Sequence, residues 1–208
     1  MTDTLDVLDE ATLELIALAA LISCADEPTV RQALATASAR VPSLWVDELI
    51  VQSYLFAGFP RALNAAREWR RVSPEPAPAR DESDDVEAVS VWRDRGVATC
   101  SAVYGAMYDK LRVNVRELHP ALDSAMLVEG YGKILGRPGL DLRRRELCIM
   151  AACAASGADR QLHSHLHGAL NVGVSRSALI QAVDSLLPIV GAERTRTTRL
   201  LLARVLGK

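Results

Sequence analysis

The chain has 208 residues, half of them apolar, with only 4% aromatics and a formal net charge of −2. This near-neutral balance, with no basic stripe or acidic tail, argues against a nucleic-acid partner. The longest apolar run, LIALAALI, is too short to cross a bilayer, and the acidic start MTDTLDVLDE lacks the regions of a secretory signal. The expectation is a cytoplasmic protein, outside the membrane, whose Cys24, Cys100, Cys148 and Cys153 stay reduced.

Ala and Leu dominate the apolar residues, which favours helix over strand. No stretch alternates with period two, so the expected class is all-α. In chain order the periodicity predicts helices near 6–24, 28–39, 44–55, 60–71, 86–111, 120–135, 142–156, 160–171, 176–189 and 192–206. Asp141 and Ser175 are N-cap candidates, and Pro120 suits a first turn. Gly136, Gly157 and Gly173 suit the residue after a helix end. The stretch SPEPAPARDESDD is rich in Pro and acid, and it reads as a linker. It divides the chain into an N-terminal part, 1–72, the linker, 73–85, and a C-terminal part, 86–208.

The two parts echo each other. ELIALAALISCAD (14–26) is similar to ELCIMAACAASGAD (146–159). Each is followed by a second helix and then by an apolar helix ending in Gly, VDELIVQSYLFAG and ALIQAVDSLLPIVG. The reading is an internally duplicated helical unit.

Two residues in the second copy invite a chemical reading. On helix 142–156, Leu142, Ile149, Met150 and Cys153 form an apolar stripe with Glu146 at its centre. A carboxylate there needs a partner or a proton. It is either a structural Glu held by a backbone N–H or an Arg, or an acid–base group. The segment DRQLHSHLHGALNVG holds three histidines. Leu162, Leu166, Ala169 and Leu170 make it a helix, on which His163 and His167 project together, off the apolar face. His165 lies at the edge of the core. A turn at 157–159 lets Glu146 and His165 meet, with the carboxylate orienting the imidazole. His163 and His167 lack a nearby third ligand, so solvated side chains are favoured over a metal site. The first copy keeps the carboxylate, as Glu14, but has Gln32 or Ala33 in place of His165, so one site per chain is expected.

The stretch RPGLDLRRRELCIMAACAASGADRQLHSHLHGALNVGVSRSALIQAV resembles the carboxymuconolactone decarboxylase family, related to the alkylhydroperoxidase-D-like fold. VYGAMYDKL, LHPALD and EGYGKILGRPGL extend the likeness upstream. In the first copy DELIVQSYLFAGFPRALNAAREWR resembles the family's C-terminal helices. The resemblance implies an alkylhydroperoxidase-D-like helical bundle, here a complete C-terminal domain behind a degenerate N-terminal copy. It also implies assembly into homo-oligomers with sites near subunit contacts.

In the peroxidase branch of the family a helix Glu, a C-x-x-C pair and a His act together. Glu146 and His165 match the Glu and His, but the cysteine positions fall on Ala158 and Gln161. A peroxide-reducing dithiol is therefore not expected. The decarboxylase branch has the His and GALNVG without the cysteines, as here. By that likeness the chain is a decarboxylase-type lyase or isomerase, using no cofactor and no metal, on a small organic acid or lactone. His165 is the expected acid, Glu146 its orienter, and Arg145 and Gln161 the substrate-binding candidates. The second copy reads IVGAERTRTT where the family has an aromatic before the Gly and a Pro after it, so part of the pocket wall differs. The alternatives are a non-catalytic helical assembly or ligand-binding protein, and a thiol-dependent antioxidant using Cys148 or Cys153.

Overall fold

The computed structural model describes residues 4–85 and 88–207, and among them every regular element is helical. Two compact units emerge, Met1–Pro76 with Gly139–Lys208, and Ala77–Pro138. One change of unit falls at Pro76–Ala77, within the Pro- and acid-rich stretch 73–85. The other falls at Pro138–Gly139, in the turn-forming stretch Gly136-Arg137-Pro138-Gly139. Residues 88–138 and 139–207 stand in different units.

The larger unit holds α1 (Glu10–Cys24), α2 (Glu27–Ala37), α3 (Ser43–Ala57) and α4 (Phe59–Val72), then, after the smaller unit, four more helices. These are α8 (Leu142–Ser156), α9 (Asp159–Asn171), α10 (Arg176–Ser185) and α11 (Leu187–Val205). Among the expected caps, Asp141 accepts from Arg144 N and Ser175 from Ala178 N, so both satisfy an orphan N–H of a first turn. Gly157 ends α8 in the left-handed region at φ 78°, a conformation that suits Gly. α1 starts four residues later than expected, because Asp9 caps it.

α8 is the centre of this unit. Every residue from Arg145 to Ala154 is buried, and α1, α3, α9, α10 and α11 all pack on it. It is a helix covered on all sides, not the amphipathic helix that the stripe around Glu146 implied. Leu15, Ile16, Leu147, Ile149 and Met150 are fully buried in its surroundings, each contributing about 1.5–3 kcal/mol.

Helices α1–α4 and α8–α11 repeat local geometry. Asp9 and Asp141, 132 positions apart, cap α1 and α8 in the same way. Gly58 (φ 84°, ψ 157°) and Gly191 (φ 77°, ψ 169°), 133 apart, take the same unusual conformation. Three residues after each glycine an arginine grips carbonyls at the end of the first helix. Arg61 donates to Ile22 O and Ala25 O, and Arg194 to Ala154 O and Cys153 O. Gly191 lies inside α11, which is kinked there rather than started there.

The smaller unit contains α5 (Val89–Tyr104), α6 (Tyr108–Leu118), α7 (Pro120–Ala125) and a π-helical segment, Met126–Leu135. The single helix expected over 86–111 is broken at Gly105 (φ 51°, ψ −128°). Residues 86 and 87 of that expectation lie outside the described residues. The helix expected over 120–135 does begin at Pro120 but widens to the π form at Met126. α5 and the π segment cross at backbone contact. A Cβ on Gly96 would fall 1.9 Å from Leu127 O, and one on Gly132 would fall 2.0 Å from Trp92 O. Part of the acidic linker belongs here: Asp81 pairs with Arg137, and Glu82 with Arg95.

Candidate functional site

The turn at Gly157 sets α9 against α8 and brings together the two residues singled out. His165 Nδ1 lies 2.8 Å from Glu146 Oε2. Glu146 is 0% and His165 4% exposed, so the contact is made out of water, where charge-assisted hydrogen bonds are strong. With Glu146 as the carboxylate, the Nδ1–H donates this hydrogen bond to Oε2. Nε2 then lies outside this contact. Glu146 Oε1 is buried and has no hydrogen-bond partner among the described residues.

The structure places Arg145, a substrate-binding candidate by resemblance, in the interior. Its side chain is fully buried. Nη2 donates to Glu48 Oε2 at 2.6 Å, Nη1 to Gln52 Oε1 at 3.2 Å, and Nε to Leu140 O at 3.0 Å. A guanidinium held this way has its charge matched inside the protein, and it ties α8 to α3. The other two arginines of the first turn are also engaged. Arg144 pairs with Asp141 and Asp9 and lies over the Trp45 ring, and Arg143 pairs with Asp141. These carboxylates answer the unfavourable helix dipole that three N-terminal arginines create.

Gln161 is exposed, one turn before His165 on α9. His163 is half-buried and His167 exposed, with ring centroids 4.9 Å apart. Burial, with a smaller push from His163, lowers the pKa of His167. Among the described residues no group of three or more potential metal ligands occurs.

The thiols offer little chemistry. Burial pushes Cys148 far above the ordinary thiol range. Cys153 is pushed up to about 12 by burial, with Glu146 adding to the shift. Cys24 is exposed, yet burial of its sulfur still raises it. Thiolates are the reactive form, so none of these three is poised as a nucleophile.

Sequence reasoning missed the contribution of α3. Phe56 meets the His165 ring edge-on at 5.6 Å between centroids, and Glu48 and Gln52 hold Arg145. The available signal was the spacing i, i+4, i+8 of Glu48, Gln52 and Phe56, which puts them on one face of the helix.

Residues 123–204 match the model of the carboxymuconolactone decarboxylase family, a range that includes Glu146 and His165 and excludes α3. Over 154 residues the chain is 29% identical to Peroxisomal protein 2 of Schizosaccharomyces pombe, covering 71% of this chain and 70% of that protein. Among the described residues no helix is long and apolar enough to cross a membrane.

Proposed function

We propose that this carboxymuconolactone decarboxylase-like protein is a cofactor-free lyase or isomerase acting on a small organic acid or lactone. The buried Glu146–His165 contact carries the reading. An unsatisfied buried oxygen costs about 1–3 kcal/mol, and more when charged. Glu146 Oε1, buried and with no hydrogen-bond partner among the described residues, supports the reading.

In a decarboxylation the bond from carbon to the departing carboxylate breaks, CO₂ leaves, and the electron pair stays on a carbon conjugated with the lactone carbonyl. His165, as imidazolium, gives its Nε2 proton to that carbon and returns to imidazole. Glu146 stabilises the imidazolium and fixes the ring. Arg145 serves this reading as a brace. Gln161 is the substrate-binding candidate that faces solvent.

The test is a thermal-shift panel of small di- and tricarboxylates and lactones on wild type and His165→Ala. A ligand at a hundred times its Kd adds about 2.7 kcal/mol, roughly 5–10 °C for a chain of this size. The expected result is a shift in wild type that the variant loses. Turnover that survives His165→Ala would sink the proposal.

A second reading, a non-catalytic assembly or ligand-binding protein, draws support from how little of His165 is exposed. In that case Glu146→Gln with His165→Ala raises stability, since removing a buried polar pair together can do so. Loss of stability or of turnover in that double variant speaks against it.

We also read α1–α4 as a degenerate copy of α8–α11, supported by the matched caps, glycines and arginines. Association with further copies is supported by the exposed apolar side chains Val113, Leu118 and Leu122 of the smaller unit, and light scattering measures it. A cytoplasmic location goes with this reading, and fractionation of cytosol from peroxisomes tests it against the name of the yeast relative, Peroxisomal protein 2.

A further inference from the structure

α3 belongs to the first four helices, yet one of its faces is given over to the chemistry of the last four. Glu48, Gln52 and Phe56 stand four residues apart and share that face. Gln52 grips Arg145 twice. Its Oε1 accepts from Nη1 at 3.2 Å, and its Nε2 donates to the Arg145 main-chain carbonyl at 3.4 Å. Glu48 takes the remaining terminal nitrogen. Both are almost fully buried. Glu48 is itself wedged against Gly139, where a Cβ would meet Glu48 Cγ at 2.9 Å. One helical turn beyond Gln52, Phe56 presents its ring to His165 at an interplanar angle of 88°.

We infer that α3 positions the acid–base pair: Gln52 fixes the rotation of the first turn of α8, and Phe56 fixes the plane of the His165 ring. Both are positioning residues, acting through Glu146 and His165. The residue that Gln52 holds by backbone and side chain immediately precedes Glu146, so α8 cannot turn about its axis without breaking those bonds. At a side-chain radius of about 5–6 Å, a rotation of about 10° moves the carboxylate by ~1 Å. A displacement of that size costs on the order of 10²-fold in rate. The positions corresponding to Gln52 and Phe56 in the second set of helices are Ser185 and Ile189, which offer neither a carboxamide nor a ring. The asymmetry matches the presence of the imidazole on one side only.

The inference rests on the Glu146–His165 reading, and the experiment separates the two. Imidazole ¹⁵N spectra are recorded on the full chain, with His165 assigned by comparison with His165→Gln. In wild type, neutral His165 is expected as the Nδ1–H tautomer, held by Glu146. In Gln52→Leu and Phe56→Leu the population is expected to move toward Nε2–H, the form free histidine prefers. Phe56→Tyr, which keeps the ring, is expected to restore the wild-type pattern. Because Gln52 is buried and its variant risks the fold, the half-buried Phe56 carries the test independently. Folded variants with His165 signals identical to wild type overturn this inference alone. A wild-type His165 already in the Nε2–H form overturns the acid–base reading and this inference with it.

Discussion

α1 and α8 both begin on an aspartate cap and end under an arginine that reaches in from three residues past a glycine at positive φ. The helices that follow them differ. α9 places His165 against a fully buried Glu146. α2 has Ala33 at the matching place, 132 positions earlier, and Glu14 is part-exposed and 3.9 Å from Arg40. An open groove lined by Leu21, Thr29, Gln32 and Ala33 lies there. Common scaffolding with a single chemical divergence teaches that the caps and glycine bends serve the fold. The histidine, and the α3 side chain that meets its ring, are what set α8 and α9 apart from α1 and α2.

The largest way to break the comparison is to cut the brace that only α8 has. Glu48→Ala leaves the buried Arg145 charge without its carboxylate, and the expected loss is about 3–5 kcal/mol in urea unfolding. Next, Leu34 and Leu166 are matched positions, both fully buried. Replacing either with Ala is expected to cost about 2–5 kcal/mol. A large inequality between the two would weaken the correspondence of the halves. Smaller still is the effect at the helix ends. Gly157→Ala forces a Cβ into the left-handed region and is expected to cost about 1–2 kcal/mol. Its counterpart Ala25 is extended, at φ −82° and ψ 168°, so no comparable strain applies there. The smallest effect is expected from Ala33→His. It shifts stability by about 0.5 kcal/mol or less, as surface changes do, and adds no ligand-dependent thermal shift. A new shift would mean that an imidazole beside Glu14 suffices to build a site.

Much of this was legible in the sequence because it is local. Asp141, Ser175 and Gly157 announce helix ends through hydrogen-bonding and backbone preferences that depend on a few neighbouring residues. The helical spacing of Leu162, Leu166 and Leu170 separated His165 from His163 and His167. What was not legible depends on tertiary contact. Arg145 lies in a run of three arginines, and nothing nearby in sequence marks it as buried, because its partners Glu48 and Gln52 are more than ninety residues away. The π segment at Met126–Leu135 was unreadable for a similar reason: the close approach of Gly96 and Gly132 to opposing carbonyls becomes visible only once the helices cross.

Leu5 exchanges main-chain hydrogen bonds with Gly173 and Ser175, and α1 lies along α8. The first seventy residues are therefore stitched to the last seventy by backbone as well as by side chains. A chain opened within residues 73–85 should behave as a split protein. The fragments 1–72 and 86–208, produced separately, are each left with apolar surface that the other was built to cover, and mixing them should reconstitute the bundle. Such complementation would turn the polypeptide into a two-component reporter whose signal depends on the fit of α1 to α8.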